Sequence, residues 1–146
     1  MMQTSDQGVW LVREREGCVL KPYRDSVGVW TDGVGNTNGV IPNGPPITQE
    51  KADTDLRRNL ALAEATINGQ VKVPLEQYQF DALASFIFNV GVHAFTSSTL
   101  LRMLNAGDYE GAALQFDRWR IPPEIMSRRR GEREQFRGTS FEARIS

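Results

Sequence analysis

Arg15-Glu16-Gly17-Cys18-Val19-Leu20-Lys21-Pro22-Tyr23-Arg24-Asp25-Ser26-Val27-Gly28-Val29-Trp30-Thr31-Asp32-Gly33-Val34-Gly35 is the stretch on which the fold reading turns. Helical spacing runs into it and stops. Asp6 to Glu16 reads as a short helix that Ser5 or Asp6 can cap and Gly17 ends. Residues 9, 12 and 16 fall on one helical face, so Glu16 sits on the stripe of Val9 and Val12. A carboxylate ending an apolar stripe either turns outward to solvent or an arginine, or has work to do. From Leu20 to Val40 the period is lost. Lys21 to Arg24 and Val29 to Thr31 read as strands around the turn Asp25-Ser26-Val27-Gly28, and Gly33, Gly35 and Gly39 mark tight backbone beyond. Such a hairpin is too small to be stable alone.

Outward from the hairpin the signals are helical. Thr48 is a candidate N-cap after the Pro- and Gly-containing segment from Ile41 to Ile47. Ala52, Leu56, Leu60, Ala63 and Ile67 then make one buried stripe, ended by Gly69. Pro74 fits the first turn of a second helix reaching Val90, with Leu83, Phe86, Ile87 and Val90 inward and Gly91 as the stop. Thr96 or Ser97 opens a third helix through Leu104. Asp108 opens a fourth, through about Trp119. Pro122-Pro123 breaks the chain before a last helix from Glu124 to about Phe136, and 138–146 read as a tail. The fold expected is mostly helical α+β in a single domain: an N-terminal helix and small antiparallel β lobe over about 1–50, and a helical lobe over about 51–137. A cleft between the lobes is the expected binding site.

Composition narrows the chemistry. Across 146 residues, 17 Lys and Arg oppose 18 Asp and Glu, a balance that disfavours a nucleic-acid partner. The one basic run, Asp117 to Arg137, holds seven Arg against four acids. A single Cys18 forms no internal disulfide, and with a single His93 it leaves too few ligands for a zinc site. No metal and no cofactor is expected; carboxylates, hydroxyls and arginines must carry the chemistry. No run of 18 apolar residues is present to span a membrane, and the first residues do not read as a secretory signal. Met1-Met2-Gln3 reads as a natural start.

Glu16, with Asp25 nine residues on in Tyr-x-Asp and Thr31 six further in Thr-x-Gly-x-Gly, resembles the active-site region of phage-type lysozymes. These are the T4-like and P22-like endolysins of glycoside hydrolase family 24. Phe88-Asn89-Val90-Gly91, Ala94-Phe95-Thr96 and Ser98 to Arg102 resemble the second-lobe signature of P22-like members. Trp119 and the run Ser127 to Glu134 resemble the closing helix. Where the family usually reads Thr-Ile-Gly-Tyr-Gly-His, this chain has Asp32 for the apolar residue and Asn36 for the histidine. Asn36 keeps hydrogen-bonding capacity, and strand alternation puts Asp32 on the face opposite Thr31. Ile121-Pro122-Pro123 replaces a connection that often contains Gly.

The resemblance implies a muramidase that hydrolyses the β-1,4 bond between N-acetylmuramic acid and N-acetylglucosamine in peptidoglycan, with inversion, for host cell lysis. Glycoside cleavage needs an acid for the leaving oxygen and a carboxylate or base that handles water on the other face. By resemblance Glu16 is the acid, Asp25 orients water, and Thr31 holds it by donating one hydrogen bond and accepting another. Phe88 and Ser98 match cleft residues and are candidate sugar contacts; the plain alternative for Phe88 is core. One of Arg128, Arg129 and Arg130 is expected to offer its guanidinium to Glu16, the alternative being a solvated helix face. Cys18 reads as a small buried residue and His93 as polar surface in a loop. The partner implied is the peptidoglycan glycan strand, with no nucleic acid and no stable membrane insertion. A monomer made in the host cytoplasm, it would reach the wall after a holin opens the membrane, without touching the holin. Amidase and endopeptidase chemistry lacks its zinc ligands or Cys–His pair here. A lytic transglycosylase and an inactive wall-binding module remain as rivals, the first disfavoured by the intact Asp25 and Thr31.

Overall fold

A computed structural model of the protein describes residues 1–119 and 125–138. Helix α1 spans Asp6–Glu16, strands β1 and β2 span Val19–Arg24 and Trp30–Gly33, and α2 spans Gln49–Gln70. There follow α3 (Gln77–Val90), α4 (Val92–Thr96), α5 (Thr99–Asn105), α6 (Tyr109–Gln115), a 3₁₀ turn (Phe116–Arg118) and α7 (Met126–Arg137). The fold is mostly helical with a two-stranded antiparallel sheet, as expected. Contacts divide the chain into two compact units, Val9–Ala61 and the remainder, so the division falls inside α1 and α2.

In the unit Val9–Ala61, β1 and β2 pair Val19 with Gly33, Tyr23 with Thr31 and Arg24 with Trp30, with a bulge between Val19 and Tyr23. The core of this unit is small: Val9, Leu11, Val12, Val34, Ala52, Leu56 and Leu60 are buried. Gly33, at φ +56°, brings the end of β2 so near α2 that a Cβ there would lie 3.3 Å from that of Ala52. Leu20 C=O accepts from Ile47 N at 3.0 Å, tying β1 to the segment that leads into α2.

In the other unit the second half of α2 contributes the buried Ala63 and Ile67, completing the five-residue stripe read from spacing. The unit's core is aromatic: Phe80, Phe86, Phe95, Phe116 and Phe136 are buried. Phe86 meets Phe116 edge-on at 5.2 Å between centroids and Trp119 at 5.7 Å. The N-terminal residues pair their backbone with side chains. Met2 exchanges two hydrogen bonds with the Asn68 amide, Glu64 accepts from Thr4 N, and Gln77 Nε2 donates to Gln3 C=O. Ser5 Oγ accepts from Gly8 N and donates to the fully buried Asp81 carboxylate, so it caps α1. A Cβ on Gly8 would lie 2.5 Å from Asp81 Cγ, which explains a glycine inside a helix.

Several boundaries differ from the sequence reading. The second helix begins at Gln77, not in the turn of Pro74, because Glu76 and Gln79 form a reciprocal capping box. The segment after Gly91 is the short helix α4, so His93 is exposed on a helix instead of a loop. Ser98, not Thr96 or Ser97, opens the next helix: its Oγ accepts from Leu101 N at 3.1 Å. The helix after Asp108 tightens into a 3₁₀ turn at Phe116. Ile121-Pro122-Pro123, the start proposed at Glu124 and the tail from 139 onward lie outside the described residues.

Candidate active site

Glu16, Asp25 and Thr31 all belong to the unit Val9–Ala61. Glu16 is the last residue of α1, half-buried, and Gly17 follows in the left-handed region at φ +83° with its N–H on Arg13 C=O at 2.8 Å. That geometry ends the helix abruptly and turns the chain into β1.

Asp25 sits at the tip of the hairpin, where its side chain organises the turn. Oδ1 accepts from Val27 N at 3.0 Å and Val29 N at 2.8 Å. The loop is closed from the other side by Asp25 N on Val29 C=O at 2.9 Å and Gly28 N on Asp25 C=O at 3.0 Å. An Asp followed by a Gly three residues on, at φ +85°, is the sequence signal for such a turn. One carboxylate oxygen, Oδ1, is thereby held by two backbone donors.

Thr31 is buried on β2 at 3% exposure, and its Oγ donates to Val29 C=O at 2.9 Å. Val29 therefore joins the two residues: its N–H holds the Asp25 carboxylate and its carbonyl takes both Asp25 N and the Thr31 hydroxyl. Sequence reading missed Val29 because its contribution is entirely backbone. In this structure the Thr31 hydroxyl donates to the Val29 carbonyl. Its single proton is used, so toward a water Oγ offers lone pairs.

The two departures from the family pattern find each other. Asp32 and Asn36 are buried and form a β-bridge, and Asn36 Nδ2 donates to Asp32 Oδ1 at 3.0 Å. Asn36 Oδ1 accepts from Arg58 and Asn59, each at 3.2 Å. Arg58 in turn meets Asp55 at 2.9 Å, beside Lys51 at 2.7 Å. Burial pushes the Asp55 carboxyl up, but these two cations outweigh it and hold it below the usual range. The Asn36 amide is thus hydrogen-bonded through both its nitrogen and its oxygen, beside Asp32 of β2.

In the other unit, Phe88 is half-buried on α3, neither free surface nor sealed core. Ser98 is 5% exposed, donates to Phe95 C=O at 2.6 Å and caps α5, so its hydroxyl is committed to the helix. Arg128 and Arg129 are buried, which overturns the solvated-face alternative for them, while Arg130 is exposed. Their partners include the buried Glu132: Arg128 Nε reaches it at 3.1 Å, Arg129 bonds its other oxygen, and Ser85 Oγ donates to it at 2.6 Å. Cys18 is half-exposed rather than buried, with Sγ 3.8 Å from Gln49 Nε2. Among the described residues no cluster of His, Cys, Asp and Glu suits a metal ion, and no helix is long and apolar enough to cross a membrane.

The family model for phage lysozyme matches residues 13–132, which include all three candidate residues. The chain belongs to the phage lysozyme family. It is similar to the endolysin of Salmonella phage P22, 43% identical over 93% of this chain and 99% of that one. The endolysin of Acyrthosiphon pisum secondary endosymbiont phage 1 is also 43% identical, over 92% of this chain and 98% of that one. Among solved structures of the family, a mutant of P22 lysozyme superposes with a TM-score of 0.88 at 42% identity, covering 93% of this chain and 99% of that one. The muramidase domain of SpmX from Asticaccaulis excentricus gives 0.86 at 34% identity, covering 93% and 98%.

Proposed function

We propose that this phage lysozyme is an endolysin muramidase, which cleaves the β-1,4 bond between N-acetylmuramic acid and N-acetylglucosamine by single displacement with inversion. The observation that carries the reading is the linkage of Asp25 to Thr31 through Val29. A water donating one proton to Asp25 Oδ2 and the other to Thr31 Oγ keeps both lone pairs free, and one of them can attack a sugar carbon. Asp25 draws off a proton as the water attacks. Glu16, on the helix end, protonates the leaving oxygen. Nothing in this scheme calls for a cofactor or metal. Phe88 is a candidate sugar contact; Ser98, committed as a cap, acts on substrate only through α5. The biological setting that fits is a monomer made in the host cytoplasm that meets the periplasmic wall once a holin has opened the membrane. The relatives named as endolysins and the muramidase domain support the substrate class.

The test is Glu16→Gln, which keeps the size of the side chain but has no proton to give. It is expected to lower clearing of permeabilised Gram-negative cells by roughly 10²–10⁴-fold with an unchanged melting temperature. Native turnover by a folded Glu16→Gln chain would sink the acid assignment. Mass spectrometry of released sugars separates hydrolysis from anhydro-forming transglycosylation, and the anomer first formed, read by NMR, tests inversion. A wild-type chain that binds wall but releases nothing would favour a binding module.

A further inference from the structure

We propose that Asp53, with Gln49, is a positioning residue for Glu16. This rests on the reading of Glu16 as the acid. Glu16 lies at a helix end beside a glycine in the left-handed region, where backbone freedom is greatest and helices fray. Two tethers bracket it. On one side, Arg13, three residues earlier, places Nη1 3.1 and 3.2 Å from the two carboxylate oxygens of Asp53. The same Arg13 accepts Gly17 N on its carbonyl at 2.8 Å, so the turn containing Glu16 is closed on the residue that Asp53 holds. On the other side, Cys18 Sγ rests 3.8 Å from Gln49 Nε2, which itself donates to Asp53 Oδ1 at 3.0 Å.

Both tethers converge on residues 49 and 53, one turn apart at the start of α2. Their base is firm, because Ala52, Leu56 and Leu60 of the same helix are buried to within 1% exposure. The Arg13 and Asp53 side chains are 24% and 36% exposed, and ion pairs so placed contribute little to global stability. Conservation of stability is therefore not what the pair is built for. A general acid needs hydrogen-bond reach to the leaving oxygen, and a displacement of about 1 Å costs on the order of 10²-fold in rate. The pair holds the helix end to that tolerance.

The experiment compares the full-length wild type with Asp53→Ala, Asp53→Asn, Asp53→Glu and Gln49→Ala on soluble peptidoglycan strands, well below each melting temperature. Asp53→Ala is expected to lower kcat about tenfold with KM within about twofold and melting nearly unchanged, an effect of misplacement and not of binding. Asp53→Glu restores most of the loss, because a carboxylate can again reach Arg13. Gln49→Ala acts in the same direction, and the double variant is scarcely worse than Asp53→Ala, since both act through one network. Amide resonances of Glu16 and Gly17 shift in Asp53→Ala while those of Thr31 stay in place. Should Asp53→Ala not fold, Asp53→Asn gives the same comparison with volume preserved. A kcat within twofold of wild type, a rise in KM alone, or a rate loss that tracks melting would overturn the proposal. An active wild type silenced by Glu16→Gln but indifferent to Asp53 overturns it alone, whereas an inactive wild type overturns the acid reading with it.

Discussion

Asp25 and Thr31 are both bound into the hairpin through Val29, and the proposed chemistry asks a second task of each. Asp25 uses Oδ1 to hold the hairpin tip through Val27 and Val29, and in the proposed mechanism Oδ2 takes the water. Asp25→Asn keeps a carbonyl oxygen that can accept the same two backbone bonds, so the turn is expected to survive. The new amide nitrogen cannot accept a proton from water, so hydrolysis is expected to fall by two orders of magnitude or so, within the range for lost general-base action. Thr31→Ala removes an acceptor that contributes no charge and is expected to cost less. Because Val29 ties the two together, their losses should not add: the double variant should be barely slower than Asp25→Asn. Initial rates of the two single variants and the double variant decide this, and strict additivity would reduce Thr31 to a strand residue.

At the scale of elements, the helix starts are where side chains from elsewhere decide the outcome. Ser5 was readable as a cap of α1 from its position alone; its dependence on Asp81, 76 residues away, was not. Burial pushes the Asp81 carboxyl up, with the negative charge of Glu64 adding, against hydrogen bonds from Ser5 and Gln77 that oppose the shift. With the folded value raised above the ordinary unfolded one of about 3.9, its stabilising contribution is complete below that pH and is lost as pH rises through the folded value. Asn at this position does not titrate. The stability advantage of wild type over Asp81→Asn is therefore expected to shrink as pH rises above the ordinary carboxylate value of about 3.9. Asp55 has the opposite sign, contributing above the unfolded value and losing that contribution as pH falls, but it is present in both proteins and cancels in the difference. Urea unfolding at several pH values checks this; a constant gap would refute it. The late start of α3 has a similar origin. Pro74 is compatible with a first turn, but the reciprocal pair of Glu76 and Gln79 satisfies the free N–H groups three residues later.

Across the molecule, the charges that matter most are those the fold has removed from water. Helix α7 reads as a polar, arginine-rich run, yet Arg128, Arg129, Glu132 and Gln135 are buried on it. Glu132 is fully buried and receives Arg128, Arg129 and the Ser85 hydroxyl from α3. Arg129 also donates to Trp119 C=O at 2.9 Å and lies over the Phe86 ring at 5.0 Å from its centroid. Removing the carboxylate leaves two buried guanidinium groups without it. Glu132→Ala is thus expected to cost about 3–5 kcal/mol, far more than the loss of an exposed pair such as Arg137 with Glu110. Denaturant midpoints of the two variants make the comparison, and a Glu132→Ala cost below about 1 kcal/mol would show the network to be solvent-exchanged.

The amino-acid sequence by itself determined the local order: α1 ended by Gly17, the hairpin between Tyr23 and Thr31, the α2 stripe from Ala52 to Ile67, and the spacing that marks Glu16, Asp25 and Thr31. These rest on short-range physics, on the periods of helix and strand, on turn residues and on caps a few positions away. Only the tertiary structure decided which polar groups are buried and with whom. Val29 joins Asp25 to Thr31 by its backbone, Asn36 gathers Arg58 and Asn59, and Glu132 meets Ser85 across 47 residues. A charged side chain has no pattern that tells it to be inside. It is buried when folding brings a partner within hydrogen-bond distance to replace the lost water, and that partner is found by the path of the chain through space.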